Sequence, residues 1–477
     1  MSDHSRIHML LRIWPGVVIA CLLVGAMLCG GGRAGAADPP APEKKPDWAA
    51  LEKLLTSGSY QEAAVLAGEI AEMVKPKRRA PDFLPRTIEH IRALMRRGLA
   101  LLRQGDIDAA DDAFAEATRD FKDREFQRLL SLEARNATAA VTSQMVMLDV
   151  NGVELADFRS LAVLERMRAT NLARRDQSLS TAALTSLPQD VARWLGELKV
   201  DKRAGANARE SLAERIEKGG PTVVASPYAR AVAGAFRPEM IAGIAARELA
   251  DMPPEVLQAD AVRDWIGAGD EKPAEDSVPR VRARLLEESL GHFQLAAAAL
   301  DEAIRAASPT GAAGLKGDAR IEAALLEAEI MVHRGAAMKQ AADLAHARES
   351  VRRAIQLHRE VGELRRSPSP DVHPDLAWPL LLDADATLAD AQRLLAVGDH
   401  ERSQATVREA SNTLARAAAL PMPPNSPLRG YLADLQARLQ RQRSALDDSL
   451  PRTEAADAAA RRLQEAIDAT ALPGIAR

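Results

Sequence analysis

Residues 94–117 read LMRRGLALLRQGDIDAADDAFAEA, and this stretch decides the fold. Gly105 divides it into two parts in which apolar or small residues recur at helical spacing. They are Leu94, Gly98 and Leu101 in the first part and Ile107, Ala110, Phe114 and Ala117 in the second. Gly105 has no Cβ and adopts the positive φ of a tight turn at little cost. The stretch therefore predicts two antiparallel helices that approach closely at Gly98 and Ala110, with Phe114 filling the space toward the next helix.

This pattern resembles a tetratricopeptide repeat (TPR), a helix–turn–helix unit that stacks into solenoids. Weaker copies occur with turn glycines at Gly58, Gly291 and Gly398, and a longer helical pair is predicted between Arg320 and Glu360. The glycines are unevenly spaced, so the array is irregular and contains insertions. We predict an all-α fold, an irregular TPR-like α-solenoid of antiparallel helix pairs with a less regular helical middle segment.

The composition agrees with a helical chain. Only 3% of the 477 residues are aromatic, whereas Ala, Leu and Arg are abundant. The abundant types enter helices at little cost, and the aromatic residues that strands prefer are scarce. The formal net charge is −4, from well-mixed acidic and basic residues. Such a balance is typical of a solvated surface and gives no indication of nucleic-acid binding.

The N-terminus has the pattern of a secretory signal. Arg6 and Arg12 supply positive charge before an apolar run that covers residues 13–29. Residues 34–36 then form an A-x-A cleavage motif. We expect cleavage after this motif and a periplasmic or secreted mature chain. Two alternatives stay open. The apolar run is near the lower limit for a membrane anchor, and the residues before Cys21 resemble a lipid-attachment motif.

Breaks rich in proline, glycine or acidic residues divide the chain. The predicted parts are a signal peptide (1–36), a Pro-rich spacer (37–46), N-terminal TPR-like helix pairs (47–123), an atypical helical segment (124–280), a TPR-like helical segment (281–366) and a C-terminal TPR-like helical segment (376–470). The spacer is of the extended, semi-rigid kind that holds a domain away from a membrane.

The atypical segment contains Asn151-Gly152, the favoured dipeptide of a two-residue hairpin turn. Because both flanks look helical, we predict a helix–loop–helix over residues 143–155, with a short hairpin as the alternative. Further helices are predicted, each ending at a break in the pattern: residues 188–198, 207–218, 238–249, 428–444 and 453–469.

No catalytic signature stands out in the sequence. The chain lacks H-E-x-x-H, G-x-S-x-G and phosphate-loop motifs, and its G-x-G-x-x-G match at residues 30–35 lies in the signal region. His346 and Glu349 share a predicted helix, but in the reverse of the order that di-metal helical bundles use. Cys21 and Cys29 both lie in the signal region, so a mature chain has no thiol. We therefore predict no catalytic residue, no cofactor and no metal site.

The resemblance to TPR units implies that the first helix of each pair lines the inner face of the solenoid. In the clearest unit this places Arg92, Met95, Leu99, Leu102 and Arg103 toward a groove that binds a protein partner. The two arginines would meet acidic groups of that partner. The alternative interpretation is that arginine is simply the usual surface residue of this chain.

The expected function is that of an exported, non-enzymatic scaffold or adaptor of a bacterial cell envelope that binds one or more proteins. Membrane contact is expected only through an uncleaved signal or a lipid anchor. An accessory or degenerate enzyme stays open as a second class. It would use residues of the atypical segment, namely Asp149, Glu154 and Asp157, if they converge in a closed cleft where a carboxylate has a raised pKa.

A glycan- or peptide-binding component is a third class. It would need aromatic side chains that line a groove, and the chain has few of them. The candidates are Trp194, Trp265 and Trp378, of which Trp378 lies between two prolines and is the best suited to contact a ligand.

Overall fold

The computed structural model describes residues 45–135, 139–175, 177–217, 226–266, 277–367, 370–424 and 426–470. Within these ranges the regular elements are α-helices and short 3₁₀ turns, and no strand occurs. Neighbouring helices pack in pairs along the chain, so the predicted all-α, solenoid-like fold is confirmed. The predicted signal segment lies outside the described residues. None of the described helices combines the length and apolar character needed to cross a bilayer.

Seventeen α-helices are numbered in chain order over the described ranges. The N-terminal ones are α1 (Trp48–Ser57), α2 (Tyr60–Val74), α3 (Phe83–Gln104), α4 (Ile107–Phe121) and α5 (Arg124–Arg135). The middle ones are α6 (Ala139–Arg175), α7 (Thr181–Ile216), α8 (Pro227–Ala233), α9 (Phe236–Ala250), α10 (Pro254–Leu257), α11 (Asp260–Trp265) and α12 (Ser277–Ala307). The C-terminal ones are α13 (Asp318–Gln340), α14 (Leu344–Leu364), α15 (Ala377–Ala396), α16 (His400–Ala418) and α17 (Pro427–Thr470).

The turns between paired helices share one construction. Gly58, Gly105 and Gly398 adopt φ values of 79°, 83° and 82°, as their predicted turn role requires. Asp106 and Asp399 directly follow two of these glycines, and each caps the next helix by accepting a backbone N–H bond three residues on. A left-handed residue followed by a capping aspartate therefore reverses the chain within two residues.

The prediction of a turn at Gly291 is wrong. Gly291 lies inside the 31-residue helix α12, and a Cβ added there would meet nothing within 4 Å. The apolar residues around it belong to one helix that packs against α9. In this pair the close approach is made by Gly243 of α9, where a Cβ would lie 2.7 Å from the ring of Phe293.

A small residue on the first helix of a pair faces a large one on the second at several places. A Cβ on Gly98 would collide with the ring of Phe114, and one on Gly335 would collide with Val351. Both pairs are separated by sixteen residues in sequence. Gly243 meets Phe293 in the same manner, with α10 and α11 inserted between the two helices. The insertion explains why the sequence spacing looked irregular there.

The predicted helix–loop–helix over residues 143–155 and its hairpin alternative are both wrong. Helix α6 runs without a break through Asn151 and Gly152. Gly152 lies against the ring of Phe121 at the end of α4, where a Cβ would collide with it. The glycine permits a close helix contact here and does not form a turn, a distinction that a dipeptide signal cannot make.

Two pairs of predicted helices are likewise continuous. Helix α7 runs through 188–198, with Pro188 inside it, and continues through 207–216, and α17 runs through both 428–444 and 453–469. A proline removes one helical hydrogen bond and bends a helix, but tertiary packing can hold the helix together. The predicted helix over 238–249 and the pair between Arg320 and Glu360 are confirmed as α9 and as α13 with α14.

Helix α6 connects the hydrophobic cores of the molecule. Phe158 of α6 lies in the N-terminal core, which is built from α1 to α6. Leu164 of α6 lies in the central core around α9 and α12. The C-terminal core, built mainly from α13 to α17, contains its Leu172. A small cluster with α7 and α8 contains its Val153. One 37-residue helix therefore contributes buried side chains to each of these four clusters.

Five helices form what we call the inner layer: α3, α6, α9, α13 and α15. Each contacts the next in this order. The helices α4, α12, α14 and α16 each pack against inner-layer helices. Arg103 of α3 lies close enough to Glu329 of α13 for their charges to interact, although α6 and α9 lie between these helices in the order. The layer therefore curves around a common centre, and we call the side that faces this centre the concave face.

Candidate functional site

The centre of the concave face is dominated by arginine. Four guanidinium groups surround His333 of α13, and they belong to Arg103, Arg168, Arg237 and Arg247. Arg247 Nη1 donates to His333 Nδ1 at 2.8 Å. Burial and the nearby positive charges hold the pKa of His333 well below its usual value, so this imidazole is neutral at physiological pH.

Most of these cations have a carboxylate of their own. Arg237 pairs with Glu329 at 2.6 Å, Arg168 pairs with Glu165, and the fully buried Arg247 pairs with Glu248. Glu248 also accepts a bond of 2.9 Å from Asn171. Arg237–Glu329 joins α9 to α13 and Asn171–Glu248 joins α6 to α9, whereas the other two ion pairs each lie within one helix. Each of these charges is neutralised by a neighbour.

Arg103 differs from these arginines. Its side chain is 60% exposed, and its ion pair with Asp375 is loose, with 3.5 Å between Nη1 and Asp375 Oδ1. The charge of Asp375 is the largest cause that raises its pKa, and the charges of Glu329 and Glu165 act in the same direction. An accessible guanidinium whose ion pair is loose can bind an external anion.

Asp375 belongs to a contact that joins the first helix pair to the connection between α14 and α15, and we call this contact the clasp. The hydroxyl of Tyr60 donates to Asp375 Oδ1 at 2.6 Å, and His373 Nε2 lies 3.2 Å from the carbonyl oxygen of Thr56. Gly58 lies so close to Pro374 that a Cβ would collide with its ring. The first helix pair is thereby held against the 370–376 segment, more than 300 residues later in the sequence.

The clasp is mainly polar, and the N-terminal core and the C-terminal core do not merge across it.

The carboxylate of Asp375 is stabilised by the basic groups around it. Burial alone would raise the pKa of Asp375, but Arg103 and the two histidines His373 and His358 lower it well below its usual range. His358 is itself buried, which lowers its pKa to about 4, so it is neutral at pH 7.

The five residues predicted to line the groove do not form one exposed surface. Arg92 is 4% exposed, lies 4.1 Å from the centre of the Trp48 ring and pairs with Glu52 at 3.5 Å. Burial lowers its pKa to about 10. Met95 is buried in the N-terminal core, while Leu99 and Leu102 are half-buried. Both predicted arginines do meet carboxylates, but those carboxylates belong to this chain.

The acidic residues proposed for an enzyme site have separate partners. Asp149 pairs with Arg215, Glu154 accepts from the hydroxyl of Tyr228, and Asp157 pairs with Arg209. Burial raises the pKa of Asp149 and of Glu154. Asp157 lines a cavity of about 30 Å³, which has room for water but not for a substrate.

A second buried carboxylate lies on the other side of Tyr228. Glu322 of α13 accepts from Ser226 Oγ at 2.9 Å and from the backbone N–H of Tyr228 at 3.1 Å. Burial raises the pKa of Glu322 to about 7. The start of α8 is therefore held by an acid whose charge changes near neutral pH.

Glu322→Gln is expected to flatten the pH dependence of stability. The folded protein keeps a proton on Glu322 up to about pH 7, whereas the unfolded chain releases it near 4.5. The free energy of unfolding therefore falls as pH rises through this window, by up to about 3 kcal/mol. Glutamine cannot ionise, so the variant lacks this fall. Urea unfolding at about pH 5 and about pH 8 measures the effect. An equal change in the free energy of unfolding between these two pH values in the wild type and in the variant would contradict it.

The three tryptophans considered for ligand contact are engaged with the chain. Trp194 is 7% exposed, and Trp265 lines the small cavity beside Asp157. The guanidinium carbon of Arg168 lies over Trp378, 4.7 Å from the centre of the tryptophan ring. His346 pairs with Asp343, and no group of three or more potential metal ligands converges among the described residues.

Sequence reasoning missed the residues of the clasp and most of those around His333. Residues 367–375 contain three prolines, a composition that predicts a linker, yet His373 and Asp375 of this stretch take part in the clasp. Nothing in a single sequence pairs Tyr60 with a residue 315 positions away. Comparison with protein-family models and with curated proteins found no match for the chain.

Proposed function

We propose that this protein is a non-enzymatic scaffold whose concave inner layer binds a protein partner. Its helix pairs are TPR-like, because a small residue of one helix receives a large residue of the next at a repeated spacing of sixteen residues. Stacked pairs of this kind present an extended concave surface on which several weak contacts add along a partner. The N-terminal signal pattern supports export to a bacterial cell envelope.

The observation that carries the proposal is the state of Arg103. It stands on the concave face with its side chain 60% exposed, whereas the arginines beside it are largely buried in ion pairs. Half-buried Leu99 and Leu102 lie on the same helix. An accessible cation beside apolar side chains on a curved surface favours recognition of a partner with acidic and apolar groups.

A photo-crosslinking amino acid at Leu102 tests the proposal. We expect it to form adducts of defined mass with a partner in the native cell envelope. The matched control places the same amino acid at Val65, which is 60% exposed on α2, and should give no such adduct. Adducts from Val65 alone, or from neither position, would contradict binding on the concave face.

Arg103→Glu is expected to abolish the adduct at Leu102, because the substitution replaces an accessible cation with an anion. Arg97→Glu supplies the matched control, since Arg97 is an exposed arginine of the same helix that faces Gly68 of α2. It should leave the adduct unchanged. Quantitative mass spectrometry of the crosslinked material checks both variants, and equal yields would exclude a role for Arg103.

A second candidate function has one observation in its favour. Burial raises the pKa of both Glu154 and Glu322, which lie on either side of Tyr228, and such carboxylates are common among acid–base catalysts. An accessory enzyme would need a substrate cavity beside them. The scaffold is the better-supported function because the cavity at the neighbouring Asp157 has a volume of only about 30 Å³.

A further inference from the structure

Asp375 is an anion held among basic groups. Tyr60 donates to it at 2.6 Å, Arg103 lies 3.5 Å away, and His358 and Arg365 are close enough for its charge to raise the pKa of each. Tyr60 lies on α2, Arg103 on α3 and His358 on α14, and Arg365 directly follows α14. Several parts of the chain therefore meet at this one carboxylate.

Arg365 is the least satisfied member of this cluster. Its buried Nε has no hydrogen-bond partner among the described residues, and no ion pair joins its guanidinium to any of them. Burial lowers its pKa, while the charges of Asp375 and Asp318 act in the opposite direction. A half-buried cation without an ion pair gains from a carboxylate placed close to it, so a second acidic group can be accommodated beside Arg365.

The segment that carries Asp375 is attached mainly by polar contacts. Asp371 is 61% exposed and Val372 is 49% exposed. Leu376 anchors the segment in the C-terminal core, and Pro374 touches Gly58 across the clasp. Residues 370–375 can leave the cluster while Leu376 stays in place, because the contacts that would be separated are polar groups and two proline contacts, Pro374 with Gly58 and Pro370 with Gly362.

We propose that Tyr60, Arg103 and Arg365 form a carboxylate socket, that Asp375 occupies it from within the chain, and that an acidic segment of the protein partner displaces Asp375. The inference rests on the proposed function and names the chemistry of the partner. A carboxylate carried by an extended peptide is the class of ligand because the socket already holds one. Displacement opens the clasp and widens access to the concave face.

Because Asp375 is tethered to the socket by the chain, it determines how strongly a competing acidic group must bind to displace it. A side chain linked through a short segment has an effective concentration of about millimolar, so a single free carboxylate competes poorly. A partner with several neighbouring acidic residues can fill the socket, satisfy Arg365 and rebind before it diffuses away. The socket therefore selects acidic segments over isolated acids.

Binding of a fluorescein-labelled hexaglutamate peptide to the full chain, followed by anisotropy, tests the proposal. Asp375→Asn empties the socket of its charge and should tighten binding by about tenfold or more, because a tethered competitor is removed. Asp371→Asn is the matched control from the same segment, since Asp371 pairs outside the socket with Arg359. It should bind like the wild type. Adding Arg103→Gln to Asp375→Asn should abolish the gain.

A second measurement works even where Asp375→Asn does not fold. Nitroxide labels are placed at Ser57→Cys and Val372→Cys in the wild-type socket, with Cys21 and Cys29 changed to serine. Hexaglutamate should remove the dipolar broadening between the labels, and hexalysine should not. Unchanged broadening with hexaglutamate, an equal response to inorganic phosphate, or no gain in a folded Asp375→Asn protein would each overturn the proposal.

The two proposals fail in different ways. Adducts at Leu102 without any response to hexaglutamate would reject the socket and keep the scaffold. Hexaglutamate binding that depends on Asp375 and Arg103, without adducts at Leu102, would keep the socket and reject the scaffold.

Discussion

Replacing Asp385 with alanine is expected to lower the free energy of unfolding by about 3–5 kcal/mol, because it leaves buried cations without their counterion. Asp385 of α15 is 0% exposed and accepts bonds from Lys339 of α13 and from Tyr431 and Arg438 of α17. The carboxylate joins three helices at one point. Its removal strands two positive charges and a phenol in the C-terminal core.

Two comparisons distinguish this effect from a general loss of packing. Lys339→Met should cost less than Asp385→Ala, since Arg438 and Tyr431 still satisfy the carboxylate. Asp264→Ala, at an exposed position on α11, should change stability by no more than about 0.5 kcal/mol. Chemical denaturation measures all three, and similar losses for Asp385 and Asp264 would contradict the prediction.

Acid should narrow the gap between the wild type and Asp385→Ala. Burial alone would raise the pKa of Asp385, but Lys339 and Arg438 lower it well below its usual range. A carboxylate with a lowered pKa stabilises the folded state above its unfolded pKa, and this contribution is lost as pH falls. The difference in unfolding free energy should therefore be constant near neutral pH and shrink below about pH 4.

Phe114→Ala is expected to lower the free energy of unfolding by about 3–5 kcal/mol, because it opens a cavity at a fully buried ring. Phe114 lies directly on Gly98, so adding a methyl group to the glycine should also destabilise the protein, by about 1–3 kcal/mol. The ring and the absent Cβ share one space. A smaller residue at position 114 should therefore relieve the effect of Gly98→Ala.

A double-mutant cycle tests this shared space. Gly98→Ala combined with Phe114→Leu should be less destabilised than the sum of the single variants, with a coupling of about 0.5–3 kcal/mol. Gly196→Ala is the matched control in α7, where a Cβ would meet nothing within 4 Å. It should stabilise the protein by about 0.4–1 kcal/mol. Additive losses at Gly98 and Phe114 would show that the two positions do not compete for volume.

The sequence predicts well what depends on neighbours in the chain. Gly58, Gly105 and Gly398 have the positive φ of their predicted turns, because the next helix begins directly after each of them. Gly152 and Gly291 have the same residue type but lie within helices. A glycine that turns a chain and one that admits a neighbouring ring differ only in what lies across from them, and a single sequence does not record that.

The candidate site was less predictable than the fold for the same reason. Arg103 was predicted to lie in the groove because the resemblance to TPR units implies that the first helix of each pair lines the inner face. Its counterpart Asp375 lies in a proline-rich stretch whose composition predicts a linker. Arg92 was placed on the same face, but Trp48 covers it. Which helices return to cover or complete a face depends on the curvature of the whole layer.

Helix α6 makes the molecule different from a simple stack of repeats. In a linear solenoid each unit contacts its neighbours alone, and units can fold or unfold one after another. Here Val153, Phe158, Leu164 and Leu172 place one helix in four hydrophobic clusters. Loss of α6 would remove buried side chains from all of them at once. We therefore expect the described helices to unfold as a single cooperative unit, and a truncation that ends within α6 to abolish the folded state rather than shorten the array.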